Sequence, residues 1–197
     1  MDHRLFRWIN DLTTRTSWAH GSVTFYAQTA GISLLAVLLL VAYLDARHRD
    51  DRVALAGALW AGGAALVALG IGQLIGNAIN RSRPYDTLTG VHVLVDRTAD
   101  FSFPSDHATV AGSVAAALLF ANRRWGIVGS VLAGVLALAR VYVGAHFPGD
   151  VAAGLALGAI TAWAGHYVAV PVLRRIVDRL AATPIRRFVT AAPIPSL

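Results

Sequence analysis

Residues 22–44 form a run of 23 residues without a formal charge, long enough at 1.5 Å per residue to cross the ~30 Å hydrocarbon layer of a bilayer as one helix. Such a run reads as a first spanning helix. Comparable runs recur at residues 53–79, 104–121, 125–143 and 148–170. The expected fold class is all-α, a polytopic membrane helix bundle with about five spanning helices. Composition agrees: 56% of residues are hydrophobic and only 14% charged, the balance of an integral membrane protein. One bundle of this size implies a single membrane-embedded domain over residues 1–197.

The flanks are of a different kind. Residues 2–18 mix Leu5, Phe6, Trp8, Ile9 and Leu12 with Arg4, Arg7, Asn10, Asp11 and Arg15. This segment is too polar to span and lacks the continuous apolar core of a cleaved signal peptide, so an N-terminal amphipathic helix at the interface is expected. Beyond the fifth run, Pro171 is expected to break the helix. The tail, with Arg174, Arg175, Arg179, Arg186 and Arg187, should then form a C-terminal interfacial helix and end in a frayed PIPSL terminus. All seventeen basic residues are arginine, and they sit in short loops and in the tail rather than in one patch. That distribution belongs to membrane topology, and nucleic acid is not an expected partner. The absence of cysteine excludes disulfides and thiolate metal sites.

Three polar stretches interrupt the apolar pattern, each at the end of a run. ARVYVGAHFPGD, residues 139–150, places Arg140, His146 and Asp150 at membrane depth, where ionisable residues are costly and usually functional. The four-residue interval lets Asp150 face back toward His146, and a carboxylate on one imidazole nitrogen fixes the tautomer and frees the other nitrogen. Arg140 supplies a planar fork for an anionic oxygen; the bland reading is an arginine snorkelling to the interface. FSFPSDHATVAG, residues 101–112, opens a helix with Pro104, Ser105 and Asp106, an ordinary capping pattern that also makes an anion site. His107 on its first turn is placed to exchange a proton. NRSRPY, residues 80–85, adds Arg81 and Arg83.

Together these stretches resemble the type-2 phosphatidic acid phosphatase superfamily, whose signature is Lys-x6-Arg-Pro, Pro-Ser-x-His and Ser-Arg-x5-His-x3-Asp. Here the blocks read GNAINRSRP, PSDH and ARVYVGAHFPGD, in family order, with a motif core at residues 76–154. There are two departures. Gly76 occupies the lysine position and Ala139 the serine position, so phosphate binding by the first block rests on Arg83, helped by Arg81, Asn77 or Asn80. The wording SFPSDH and the short chain are most similar to the bacterial undecaprenyl-diphosphatases of the bacitracin-resistance type.

Spacing does not decide which histidine attacks; the resemblance implies that His146, oriented by Asp150, is the nucleophile and His107 the acid. It implies further that Arg83, Arg140, Ser105 and Arg81 bind the phosphate. The implied reaction is hydrolysis of undecaprenyl diphosphate to the monophosphate through a phosphohistidine, recycling the lipid carrier of cell-wall synthesis. No metal site and no cofactor are expected, since arginines can neutralise the charge. The alternatives are another lipid phosphate phosphatase, acting on phosphatidylglycerol phosphate, phosphatidate or a prenyl phosphosugar, or a non-enzymatic transporter. The expected partners are the lipid substrate and the bilayer; oligomeric state is not encoded in any feature of the chain.

Span counting brings the three blocks to one membrane face. That face carries Arg4, Arg7, Arg15, Arg81, Arg83, Arg97 and Arg140, while the remaining ten of the seventeen arginines fall on the other. By the positive-inside rule the ten-arginine face is cytoplasmic. The expected location is the inner (plasma) membrane with an extracytoplasmic site. The loop at residues 81–103 is long enough to cover a head-group pocket, and its His92 and Asp100 read as solvated or capping residues.

Overall fold

A computed structural model describes residues 1–191, so the expected frayed PIPSL end lies outside the described residues. Among the described residues there is no β-strand. The helices in chain order are α1 Asp2–Asn10, α2 His20–Phe25, α3 Gly31–His48, α4 Arg52–Ile79, α5 Pro84–Thr87, α6 Asp106–Ala121, α7 Arg123–Tyr142 and α8 Pro148–Ala181. Four stretches, Ser17–His48, Arg52–Thr87, Arg123–Tyr142 and Pro148–Ala181, are long and apolar enough to cross a membrane. The protein is an all-α, multi-pass membrane bundle.

The bundle is built around α6, its shortest long helix at 16 residues, which packs on α4, α7 and α8. A Cβ added to Gly57 would lie 2.6 Å from the Cβ of Ala121, and one added to Gly72 would lie 3.6 Å from Pro104. The two helices therefore run antiparallel in direct contact. Against α8 the approach is closer still: a Cβ on Gly158 would stand 2.1 Å from the Thr109 carbonyl oxygen. Only glycine permits that backbone contact, the small-residue packing that replaces hydrophobic drive where the solvent is itself apolar. The interior follows the same logic. Ala61, Ala64, Ala111 and Ala162 are fully buried, while Leu66, Leu74, Val131 and Leu138 point outward.

Several sequence expectations need correction. The first spanning helix begins earlier than residue 22, because Ser17–His48 is continuous and includes a π-turn at Tyr26–Ala30. Pro171 does not end α8, which continues to Ala181. A proline removes one intrahelical bond, at a cost of about 3 kcal/mol, but the far segment is held by packing of Val177 with Ala46 and Leu55. The Arg52 guanidinium also meets Asp178 at 3.1 Å. The C-terminal interfacial helix is thus the last turns of α8 followed by a 3-10 turn, Pro184–Phe188. That turn folds back on the α3–α4 connection, where Arg47 Nε donates to the Arg187 carbonyl at 2.9 Å.

At the opposite end α1 packs against α7 and α8. The buried Asn10 side chain donates to the His92 and Tyr142 carbonyls at 2.8 and 2.9 Å and accepts from His92 N–H at 2.9 Å. This staples the amphipathic helix to the loop over the motif blocks.

Candidate active site

The turn between α7 and α8 carries His146, which is 2% exposed. Its Nδ1 lies 2.8 Å from the Ser102 carbonyl oxygen. A carbonyl only accepts, so Nδ1 holds the proton and Nε2 carries the lone pair. Nε2 is 3.3 Å from Arg83 Nη1 and 3.3 Å from Arg140 Nη2. Burial, reinforced by the Arg140 and Arg83 guanidiniums, holds His146 well below the usual histidine value. The ring is therefore a neutral base at pH 7 with its free nitrogen between two cations.

Both arginines are buried, Arg83 at 6% and Arg140 at 7% exposure. Arg83 Nη1 donates to the Ala145 carbonyl at 3.0 Å, while its Nε and Nη2 both reach Asp100 Oδ1, at 3.1 and 2.9 Å. Arg140 Nη1 donates to the Ala27 carbonyl at 3.2 Å, within the π-turn. Arg140 Nε is buried without a partner among the described residues, an orphan that an oxyanion would satisfy. Arg83, Arg140, His146 and His107 line a cavity of about 370 Å³ together with Asp96, Asp100, Asp106 and Gln28, among others. Burial pushes the Asp100 carboxyl up, but bonds from Thr98 and Arg83 and the Arg83 charge outweigh it and leave it below the usual carboxylate value.

The first turn of α6 sets His107 on the cavity wall. Beside it a second cavity of about 460 Å³ shares Gln28, Asp106 and His107 with the first and is lined further by Ile32, Leu69 and Val110. This second cavity is the groove between α3, α4 and α6, with a partly apolar lining.

Three sequence-derived placements change. Asp150 does not touch His146. Its Oδ2 accepts from Ser102 Oγ at 2.5 Å and from Phe147 N–H at 2.9 Å. At N3 of α8 a carboxylate reaches back to the free N–H before the helix, so the contact with His146 runs through Ser102. Arg81 is not on the cavity wall either. Its Nη1 donates to Asp150 Oδ1 and its Nη2 to Asp2 Oδ2, both at 2.6 Å, so two carboxylates already occupy the guanidinium expected for phosphate. Ser105 is fully buried at the foot of α6, its N–H donating to the Asp150 carbonyl at 3.1 Å, and its Oγ has no partner among the described residues.

At Gly76 a Cβ would meet the Phe103 carbonyl oxygen at 3.1 Å. A side chain there would open onto a crevice of about 130 Å³ shared with Asp100 and Asp106. Asn80, the left-handed C-cap of α4, is outside that crevice, whereas Asn77 lines it.

The sequence reading passes over Ser102 and Gln28 and reads Asp100 as a solvated or capping residue, whereas it holds Arg83. Gln28 carried a signal, an amide inside an uncharged span. Ser102 acts through its backbone carbonyl, which no residue type announces. Among the described residues no three His, Asp or Glu side chains converge in a way that could hold a metal ion.

The PAP2 superfamily pattern matches residues 57–173. The chain is 31% identical over 160 residues to the undecaprenyl-diphosphatase BcrC of Bacillus subtilis, covering 81% of this chain and 80% of that protein. It is 39% identical over 142 residues to the decaprenylphosphoryl-5-phosphoribose phosphatase of Mycobacterium tuberculosis, covering 72% and 73%. The crystal structure of Aquifex aeolicus LpxE superposes with a TM-score of 0.63 at 22% identity, over 83% of this chain and 93% of that one. The fold is shared, the matched segment contains all three motif blocks, and the sequence relatives align over most of their own length: the chain belongs to the PAP2 superfamily of membrane phosphatases.

Proposed function

We propose that the protein hydrolyses a polyprenyl diphosphate, undecaprenyl diphosphate in the cell-wall cycle, to the monophosphate. The observation that carries this reading is the His146 ring, with its proton fixed on the Ser102 carbonyl and its lone pair facing Arg83 and Arg140. His146 Nε2 attacks the terminal phosphorus while the two guanidiniums take the equatorial oxygens. The P–O bond to the leaving phosphate breaks and a phosphohistidine forms. His107 protonates the leaving oxygen and then takes a proton from the water that releases inorganic phosphate. The apolar groove at Ile32, Leu69 and Val110 suits a prenyl tail approaching from the bilayer. Arg83 must exchange Asp100 for the substrate phosphate as the site fills.

The diphosphate is favoured by the Bacillus relative. A prenyl phosphosugar is the second reading, favoured by the Mycobacterium relative and by the carboxylates of Asp96 and Asp106, which accept hydroxyl protons but repel a second phosphate. Purified protein assayed on prenyl diphosphate, a prenyl phosphosugar and glycerolipid phosphates separates the two. Highest kcat/KM on the diphosphate is expected; preference for the phosphosugar would replace the first reading with the second. Brief reaction and acid-free denaturation should trap a phosphohistidine in the wild type and none in His146→Ala.

The site faces the extracytoplasmic side on this reading. Its support is the distribution of arginines, ten on the α3–α4 and tail end against seven on the site end. A membrane-impermeant label on a cysteine placed at Thr89, an exposed position in the 81–103 loop, should react in intact cells. Labelling only after lysis would reverse the orientation.

A further inference from the structure

Arg81 and Asp2 take no part in the cavity, yet they end a chain of contacts that begins at the attacking nitrogen. His146 Nδ1–H is held by the Ser102 carbonyl, and Ser102 Oγ donates to Asp150. Asp150 is fully buried, and its second oxygen receives Arg81 Nη1 at 2.6 Å. The other arm of Arg81 binds Asp2, whose Oδ1 accepts the Gly149 N–H at 2.8 Å. The guanidinium lies 4.3 Å over the Phe147 ring, and His3 stacks on Phe147 at 5.0 Å. Residues 146 to 150 are therefore gripped from one side by Ser102 and from the other by α1, with Arg81 between two carboxylates.

We propose that Arg81 and Asp2 are positioning residues that act on His146 through Asp150 and Ser102, so that the N-terminal helix holds the nucleophile in register. The physical case is charge and geometry. Buried Asp150 has Arg81 as its only cationic partner among the described residues. Without it, an unpaired buried carboxylate would draw protons or water toward itself and release Ser102. The Ser102 carbonyl would then no longer fix the His146 ring, and a misplacement of about 1 Å costs on the order of 10²-fold in rate. Asp2 adds the second arm and the hold on Gly149. The arrangement also accounts for an arginine at position 81 that does not stand in for the lysine replaced by Gly76.

This inference rests on His146 as the nucleophile, and its test keeps the two apart. Wild type, His146→Ala, Arg81→Met, Asp2→Asn, Asp2→Glu and the double variant Arg81→Met/Asp2→Asn are compared on the best substrate of the panel, alongside thermal unfolding. Arg81→Met should lower kcat by about 10- to 100-fold with KM within about twofold. Asp2→Asn should lower kcat severalfold, Asp2→Glu should recover most of that loss, and the double variant should be no worse than Arg81→Met, since residues of one network are not additive. A raised KM at unchanged kcat would make Arg81 a phosphate ligand and overturn the proposal. Wild-type kinetics in both single variants, with His146→Ala inactive, would overturn it while leaving the nucleophile in place. Losses of kcat matched by loss of folded protein, with no recovery in Asp2→Glu, would reduce the contacts to stability alone. Activity surviving in His146→Ala would remove the reading on which the proposal stands.

Discussion

The two ends of the bundle use the same residue for opposite purposes. At the α3–α4 and tail end none of the ten arginines is buried, and their partners are surface groups such as Asp45 at 3.0 Å from Arg49. At the site end Arg83 and Arg140 are buried beside a histidine. An exposed pair of this kind contributes roughly 0–1 kcal/mol and is screened by salt, so on the proposed orientation the first end serves to mark topology. A buried guanidinium must be held by fixed acceptors, and Ala27, Ala145 and Asp100 supply them. The number of arginines at each end is silent about function here; burial next to a base distinguishes the candidate site from the exposed end.

The sharpest way to break this contrast is to remove one histidine from each end. On the proposed mechanism His146→Ala should abolish hydrolysis of every substrate. His166→Ala, where the ring stacks on Phe120 at 4.8 Å, should stay within about twofold of wild type because the site is several helical turns away. Comparable losses in both variants, measured as phosphate release, would erase the distinction between the ends. His107→Ala comes next. The leaving group from a diphosphate is a phosphate with a second pKa of about 6 and hardly needs a proton, whereas a monoester expels a basic alkoxide. General acid catalysis is worth ~10²- to 10⁴-fold, so single-turnover release should fall by that range for a monoester and far less for a diphosphate. Equal first-step losses would exclude the acid role.

A smaller effect is expected from the arginines. Arg140→Ala should lower kcat by roughly 10²- to 10³-fold, the usual cost of one oxyanion donor, while Arg124→Ala at the other end should leave kcat unchanged. The pH profile sharpens this. His146 must be unprotonated to attack, and its pKa lies well below the usual value because of burial, Arg140 and Arg83. The acid limb of kcat/KM due to His146 should therefore fall below the ordinary histidine range, and losing Arg140 should move it upward. A limb that moves downward would contradict the electrostatic account. The smallest change is expected from Arg174→Ala/Arg175→Ala: unchanged turnover, but weaker fidelity of orientation in the impermeant-label assay. Reduced kcat with intact orientation would show that the far end reaches the chemistry.

Much of this was legible in the sequence because hydrocarbon imposes simple rules. Uncharged runs located the helices, and His107, Arg83, Arg140 and His146 stood out as ionisable residues where such residues are rare. The failures have common causes. Local propensity ends the helix at Pro171, but packing of Val177 and the Arg52–Asp178 pair override it. Interval along the chain pairs Asp150 with His146, whereas its neighbour in space is Ser102 from a loop 48 residues earlier. Arg81 looked like a free cation because Asp2, 79 residues away, gives no local sign that it will arrive.

The shortness of α6 has a consequence for the bilayer itself. Its 16 residues give about 24 Å, less than the ~30 Å of a hydrocarbon core, and its N-terminal end faces Gly72 rather than the end of α4 at Ile79. The start of α6, which carries His107 onto the cavity wall, thus lies roughly 10 Å, seven residues of helix rise, below the end of α4. On the proposed function, a lipid phosphate would have to reach His107 at that depth, or the membrane would have to pinch inward around the protein to bring it there. Turnover should then depend on acyl-chain length in the host vesicle, running faster in thin bilayers than in thick ones, so that membrane thickness acts as a control on the enzyme.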